Sequence, residues 1–218
     1  GKILGKKFSM KSGLGSASVI LGDLVVSAMV VVNAVGDVYN LKGKKIFLDP
    51  GHGGHDPGAV ANSVQEKVLT LAIAKKIKSR LEDAGATVVM SRTSDKFVHL
   101  SERVRLANNS SADVFISVHL NSFVSEAANG IEVFYDTVNE GTRSRNLATE
   151  VQHQLVSQLG LKDRGIIQRN FEVIRYTRMP SVLVEFGFIT NRHDLSVIQN
   201  EQDKIAEAIY AALIRYFE

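Results

Sequence analysis

From residue 44 onward the chain alternates between short, continuously apolar runs and longer stretches in which apolar residues recur every three or four positions. Ile46-Phe47-Leu48, Val88-Val89-Met90, Val114-Phe115-Ile116 and Val182-Leu183-Val184 lack polar interruption, as expected of strands covered on both faces. They predict strands over 45–48, 87–90, 114–118 and 181–185. Leu69, Ile73, Ile77 and Leu81 recur at helical spacing and predict a helix over about 63–83, with Gly85 as its C-terminal glycine. Leu100, Val104 and Ala107 predict a helix to about 108, Leu147, Val151, Leu155 and Leu159 one over 146–159, and Ile205, Ile209, Ala212 and Leu213 one over 202–216. Over 130–135, Ile131, Val133 and Tyr135 alternate with Glu132 and Phe134, which predicts a strand whose Glu132 points outward by default, with a place beside the cleft as the alternative. Strands alternating with helices imply an α/β fold, a mixed, mainly parallel twisted sheet with helices on both faces.

Residues 1–40 have a different texture. Two β-rich runs, 17–21 and 24–32, flank Gly22-Asp23, a turn pair, so an N-terminal β-hairpin-like extension is expected ahead of a catalytic domain at 44–218. This stretch faintly resembles a fragment of the self-processing β-aminopeptidases, without a processed serine junction, and reads as a fused or recruited piece. The run 24–35 is too short for a membrane span and is preceded by Asp23; a signal peptide is not evident.

Composition narrows the chemistry more than the fold. With 44% hydrophobic and 22% charged residues the chain can bury a full core. A net charge of +3 and a pI near 9.1 permit attraction to a polyanionic surface, yet give no reason to expect nucleic-acid binding. Cysteine is absent, so any metal must be held by histidine and carboxylate.

Those residue types stand where such a site would be built. His52 follows the first strand in the glycine-rich turn Asp49-Pro50-Gly51-His52-Gly53-Gly54, His119 ends the strand Val114-Phe115-Ile116-Ser117-Val118, and Glu66 lies in the first turn of the helix between them. Side chains at the carboxyl ends of strands reach the sheet edge where α/β proteins place their sites. Hydrolysis of an amide at zinc needs three protein ligands, an open position and a nearby carboxylate to move protons. Glu185, at the end of Ser181-Val182-Leu183-Val184-Glu185, is the candidate for that carboxylate.

Several motifs in order carry a family resemblance: Asp-Pro-Gly-His-Gly-Gly at 49–54, Glu66-Lys67, Ser91-Arg92-Thr93-Ser94-Asp95, Leu100-Ser101-Glu102-Arg103, Ser117-Val118-His119-Leu120-Asn121, Gly130-Ile131-Glu132, Asp163-Arg164-Gly165, and the run from Pro180 through Glu185 to Asn191. In these the chain resembles the zinc-dependent N-acetylmuramoyl-L-alanine amidases of the type-3 class. The resemblance implies one Zn2+ held by His52, Glu66 and His119, Glu185 as catalytic acid and base, and hydrolysis of the amide between N-acetylmuramic acid and L-alanine in bacterial peptidoglycan. It also implies peptidoglycan as the partner, in an extracellular, periplasmic or wall-associated setting, host or phage. Some relatives carry a long helical insertion that blocks the zinc; the short connection between Asn121 and Gly130 leaves no room for one, so an uninhibited site is expected. A monomer is expected.

Around these four residues, Asn121 is a candidate for binding the stem peptide, and Asn191 for capping the helix after Thr190. Arg92, Asp95 and Arg103 read as a structural charge network at the sheet edge, and His55 as a polar loop residue rather than a stray ligand. A metallo-hydrolase acting on another amide, such as a carboxypeptidase, and a catalytically silent wall-binding module are the competing readings; the complete set of four candidates argues against the second.

Overall fold

The structure, a computed structural model, describes residues 15–21, 24–30 and 40–218. The chain divides into two compact units, Gly1–Tyr39 and Asn40–Glu218. In the first, β1 (Gly15–Leu21) pairs antiparallel with β2 (Leu24–Val30), Leu21 opposite Leu24. The expected ladder is therefore present, while the expected turn at Gly22-Asp23 lies outside the described residues.

The second unit runs β3 (Lys45–Pro50), β4 (Val60–Ala61), β5 (Val64–Gln65), α1 (Glu66–Asp83), β6 (Thr87–Met90), α2 (Leu100–Asn109), β7 (Val114–Asn121), β8 (Ile131–Tyr135), α3 (Gly141–Leu159), β9 (Asp163–Gln168), α4 (Glu172–Arg175), β10 (Ser181–Phe188), α5 (Arg192–Asn200) and α6 (Gln202–Phe217). Six strands form the sheet β6-β3-β7-β10-β8-β9. The first four are mutually parallel; β8 is antiparallel to β10, and β9 follows β8.

The unbroken apolar runs reflect cover on both faces of this sheet. Ile46, Leu48, Ile116, Val118, Val182 and Val184 pack in the layer with α1, α3 and α6, whereas Phe47, Phe115, Leu183 and Phe134 pack with Ala107 of α2 and Val173 and Ile174 of α4. Phe47 stacks on Phe115 with ring centroids 5.6 Å apart. Among the described residues, no helix is long and apolar enough to cross a membrane.

The chain leaves β3 through α1 to reach β6 on one side, then returns through α2 to β7 on the other side of β3. Neighbouring strands whose connections diverge open a crevice beyond their carboxyl ends, the usual place for a site in such sheets. Here that crevice lies at the carboxyl ends of β3, which leads to His52, and β7, which carries His119 near its end.

One expectation is corrected, one choice left open is decided, and one strand is added. Helix α1 begins at Glu66 rather than near residue 63, because 60–65 form a small antiparallel hairpin turning on Asn62 (φ +50°) and Ser63 (φ +62°), a left-handed pair that no helix can include. Glu132 does not face solvent: β8 is an interior strand, and the residue is 5% exposed. The segment after Leu161, read only as a motif, forms edge strand β9; its Arg, Gly and Gln residues conceal a strand made by pairing with β8. The cap expected at Asn191 is present, its Oδ1 accepting from the backbone N–H groups of His193 (3.1 Å) and Asp194 (3.0 Å).

Candidate metal centre

The end of β3 is held by a buried polar cage. Asp49, 1% exposed, pairs with Arg103 (Nη1–Oδ1 2.6 Å) and accepts from Ser91 Oγ (2.6 Å) and Ser117 Oγ (3.0 Å). Arg92 donates to the carbonyls of Pro50 (3.0 Å) and Gly51 (2.8 Å), and Arg103 to those of Pro50 (2.6 Å) and His52 (2.7 Å). The two guanidinium groups thus hold the carbonyls of 50–52 where the chain must adopt φ +61° at His52, a conformation costly for a residue bearing a Cβ. Asp95, grouped with these arginines in the sequence reading, is exposed and pairs instead with Lys67 (2.8 Å).

Removing Arg103 would leave the buried Asp49 without the guanidinium that is hydrogen-bonded to it. Arg103→Ala is expected to destabilise the fold by about 3–5 kcal/mol, the usual cost of breaking one side of a buried pair. Arg103→Lys should restore little, because one ammonium cannot reproduce a guanidinium fork serving four acceptors, Asp49 and the carbonyls of Pro50, His52 and Val98. Chemical denaturation checks this; a loss under about 1 kcal/mol, the range of an exposed pair, would show that the cage is not a stabilising element.

Beyond the cage, the loop after His52 folds back on itself. Asp56 Oδ2 meets His52 Nδ1 at 2.8 Å, and Asp56 Oδ1 accepts from Gly58 N (3.0 Å). The opposite ring nitrogen, His52 Nε2, faces Glu66 Oε2 at 3.1 Å. A carboxylate on the far side of an imidazole fixes the ring's orientation and tautomer. Asp56 was not singled out from the sequence, since its contact depends on this loop reversal and on no repeating period.

Glu66 enters at the first position of α1. Its Oε2 also accepts from Ala59 N (2.9 Å), while Oε1 accepts from Leu120 N (3.0 Å) and lies 2.9 Å from His119 Nδ1. Burial alone would raise its pKa, but the hydrogen bonds and charges of His119 and His52 outweigh that and hold the carboxyl far below its usual range. His52 shows the reciprocal balance: burial lowers it, and Glu66 and Asp56 together leave it raised.

His52, Glu66 and His119 each offer a ligand atom, all within 4.8 Å of one another. Two glycines make room for them. A Cβ on Gly51 would come 2.2 Å from His119 Cε1, and one on Gly58, already at φ +65°, 2.6 Å from both Glu66 Oε2 and His52 Cδ2. Two imidazoles and one carboxylate, with no thiolate in the chain, form a donor set suited to a divalent ion such as zinc.

Glu185 on β10 is in register with His119 on β7 and with Glu132 on β8, so the three stand in one row on the α2–α4 face of the sheet. Its Oε2 is buried without a hydrogen-bond partner among the described residues. Burial, and then the charges of Glu66 and Glu132, push the carboxyl well above the usual carboxylate range. Glu132 itself is held by Arg164 (Nε–Oε2 3.0 Å) and by the side-chain amide of Asn121. Asn121 lines the cleft with its amide nitrogen engaged by Glu132 and its Oδ1 accepting from Ser122 N (2.8 Å).

All four candidates border one cleft of about 670 Å³. Residues 122–130 form no helix, and only Ser122 of that connection reaches the cleft lining. His55 is not among the convergent ligands; its ring lies 4.1 Å from that of Phe97.

Comparison with known proteins gives a consistent result. The family described as N-acetylmuramoyl-L-alanine amidase matches residues 46–215. The chain is 44% identical over 177 residues to the N-acetylmuramoyl-L-alanine amidase LytC of Bacillus subtilis, covering 80% of this chain and 36% of that protein. It is 34% identical to the germination-specific N-acetylmuramoyl-L-alanine amidase of Bacillus subtilis, with 81% of each chain covered. The crystal structure of an N-acetylmuramoyl-L-alanine amidase from Clostridium difficile 630 superimposes with a TM-score of 0.76 at 43% identity, covering 80% of this chain and 96% of that one. This chain therefore spans about a third of LytC and most of the other two.

Proposed function

This chain belongs to the family of N-acetylmuramoyl-L-alanine amidases, and from that premise we propose that its unit Asn40–Glu218 hydrolyses the amide joining N-acetylmuramic acid to L-alanine in peptidoglycan, with one zinc ion as cofactor. The observation that carries the proposal is the convergence of His52, Glu66 and His119 beside a buried, unpartnered carboxyl oxygen of Glu185. His52, Glu66 and His119 would hold the metal. When bound, the ion would lower the pKa of water towards about 7 and polarise the carbonyl under attack.

The protein's own groups supply the rest. Asp56 keeps His52 Nδ1 engaged so that Nε2 faces the centre. The backbone N–H groups of Ala59 and Leu120 fix both oxygens of Glu66. Glu185 sits where burial favours its protonated form and where a nearby cation would favour ionisation, a balance that suits it to take a proton from water and give it to the departing amine. Asn121, at the polar end of the cleft, is proposed to contact the stem peptide. Such a substrate places the enzyme's work outside the cytoplasm, in the wall or periplasm.

Incubation with purified sacculi tests the reading. New L-alanine amino termini should accumulate without new reducing sugar ends, should cease after chelation and should return with added zinc. Reducing ends without amino termini would require a glycosidase instead, and release of only the terminal stem residue would point to a carboxypeptidase.

A further inference from the structure

The cleft has two unlike linings. At the end of β7, Asn121 and Ser122 are polar, whereas Phe97, Leu100 and Phe171 present apolar surface with substantial exposure. Phe97 is 40% exposed, yet its segment is closely tethered. Gly54 N donates to Asp95 Oδ1 (2.7 Å), Lys67 Nζ bridges Gly54 O (2.7 Å) and Asp95 Oδ2 (2.8 Å), and Arg103 Nε donates to Val98 O (2.9 Å). A Cβ on Gly54 would lie 2.6 Å from Phe97 N, so the segment packs directly on the loop that carries His52. The His55 ring lies against Phe97 at 4.1 Å, inclined by 36°.

An aromatic ring kept exposed on a segment this firmly held offers contact area with little conformational entropy left to lose. The electron-rich face of such a ring suits the C–H groups on one side of a pyranose. If the amidase reading holds, the scissile amide has a sugar on one side and a peptide on the other. Peptide amides and carboxylates need polar partners, which the Asn121 end supplies; a sugar face needs an apolar plate.

We infer that Phe97, backed by His55, is the platform on which the muramic acid ring packs, so that this wall selects substrates that carry the sugar. The inference rests on the proposed amidase activity. Its test compares an N-acetylmuramoyl dipeptide with the matching D-lactoyl dipeptide that lacks the sugar. In Phe97→Ala the preference for the sugar-bearing compound, measured as the ratio of kcat/KM values, should fall about tenfold through KM, equivalent to about 1.4 kcal/mol of contact. Phe97→Tyr should restore it. An unchanged ratio, including an equal loss on both compounds, would overturn the inference and leave the amidase reading intact. A wild-type protein that cleaves neither compound and releases no L-alanine amino termini from sacculi would overturn both.

Discussion

Glu185→Ala is expected to leave zinc content at the parent's level while lowering release of L-alanine amino termini from sacculi by about 10²–10⁴-fold, the range attributed to a positioned general acid or base. Glu185 is not among the three convergent ligands, so metal content should be untouched. Its place in register with His119 puts it beside the centre without making it part of the donor set. Metal analysis on the same sample that is assayed separates the two effects; near-normal hydrolysis by the variant would remove Glu185 from the mechanism.

The same residue makes a pH prediction for metal-free protein. Glu185 is pushed up in the folded state, so folding takes up a proton at pH values where the unfolded chain has an ionised glutamate. The stability it contributes is fully present below the ordinary glutamate pKa of about 4.3 and is lost as pH rises from there towards the folded value. Glu185→Gln abolishes that slope. Relative to the parent, the glutamine variant should gain stability steadily from acidic to neutral pH, measured by denaturation in the presence of chelator. A difference that does not vary with pH would mean that the carboxyl is solvated rather than buried.

His52→Ala and His119→Ala should each lose both bound zinc and activity, leaving at most two of the three ligands. They should differ in what else fails. His52 is tied to Asp56 and to the caged loop, and its removal frees Asp56. His119 stands over Gly51, so its loss opens space beneath a strand end. Asp56→Ala, which leaves all three ligands in place, should weaken zinc binding about 10–100-fold through lost orientation of His52. Zinc retention by either histidine variant at parental affinity would show that the ion, if bound, is held elsewhere.

Much of this molecule was legible locally. Apolar runs at 46–48, 114–116 and 182–184 report strands because burial on both faces leaves no position for a polar side chain, and the spacing of Leu69, Ile73, Ile77 and Leu81 reports a helix against the sheet. The candidates His52, Glu66, His119 and Glu185 stood out as polar groups set against apolar or periodic runs, His52 just beyond β3, Glu66 at the start of α1, and His119 and Glu185 inside the carboxyl-terminal halves of β7 and β10, strands that run on to Asn121 and Phe188. What escaped depends on distant pairing. Glu132 was left open between an outward position and one beside the cleft, because strand alternation cannot say whether a neighbouring strand and Arg164 cover that face. Edge strand β9 has no apolar run of its own and exists through its ladder with β8. The two residues that delay α1 to Glu66 owe their left-handed backbone to a hairpin.

By itself, then, the sequence determined the layer type and the order of most elements and singled out four candidate side chains, because these follow from hydrophobic period and from polar residues set against apolar runs. Only the tertiary structure decided that three of them meet within 4.8 Å, that Asp56 orients one and that Glu185 stands unpartnered in the row of His119. Register and crossover direction bring residues far apart in the chain to one sheet edge, and these are set by packing over the whole unit rather than by any local run of residues.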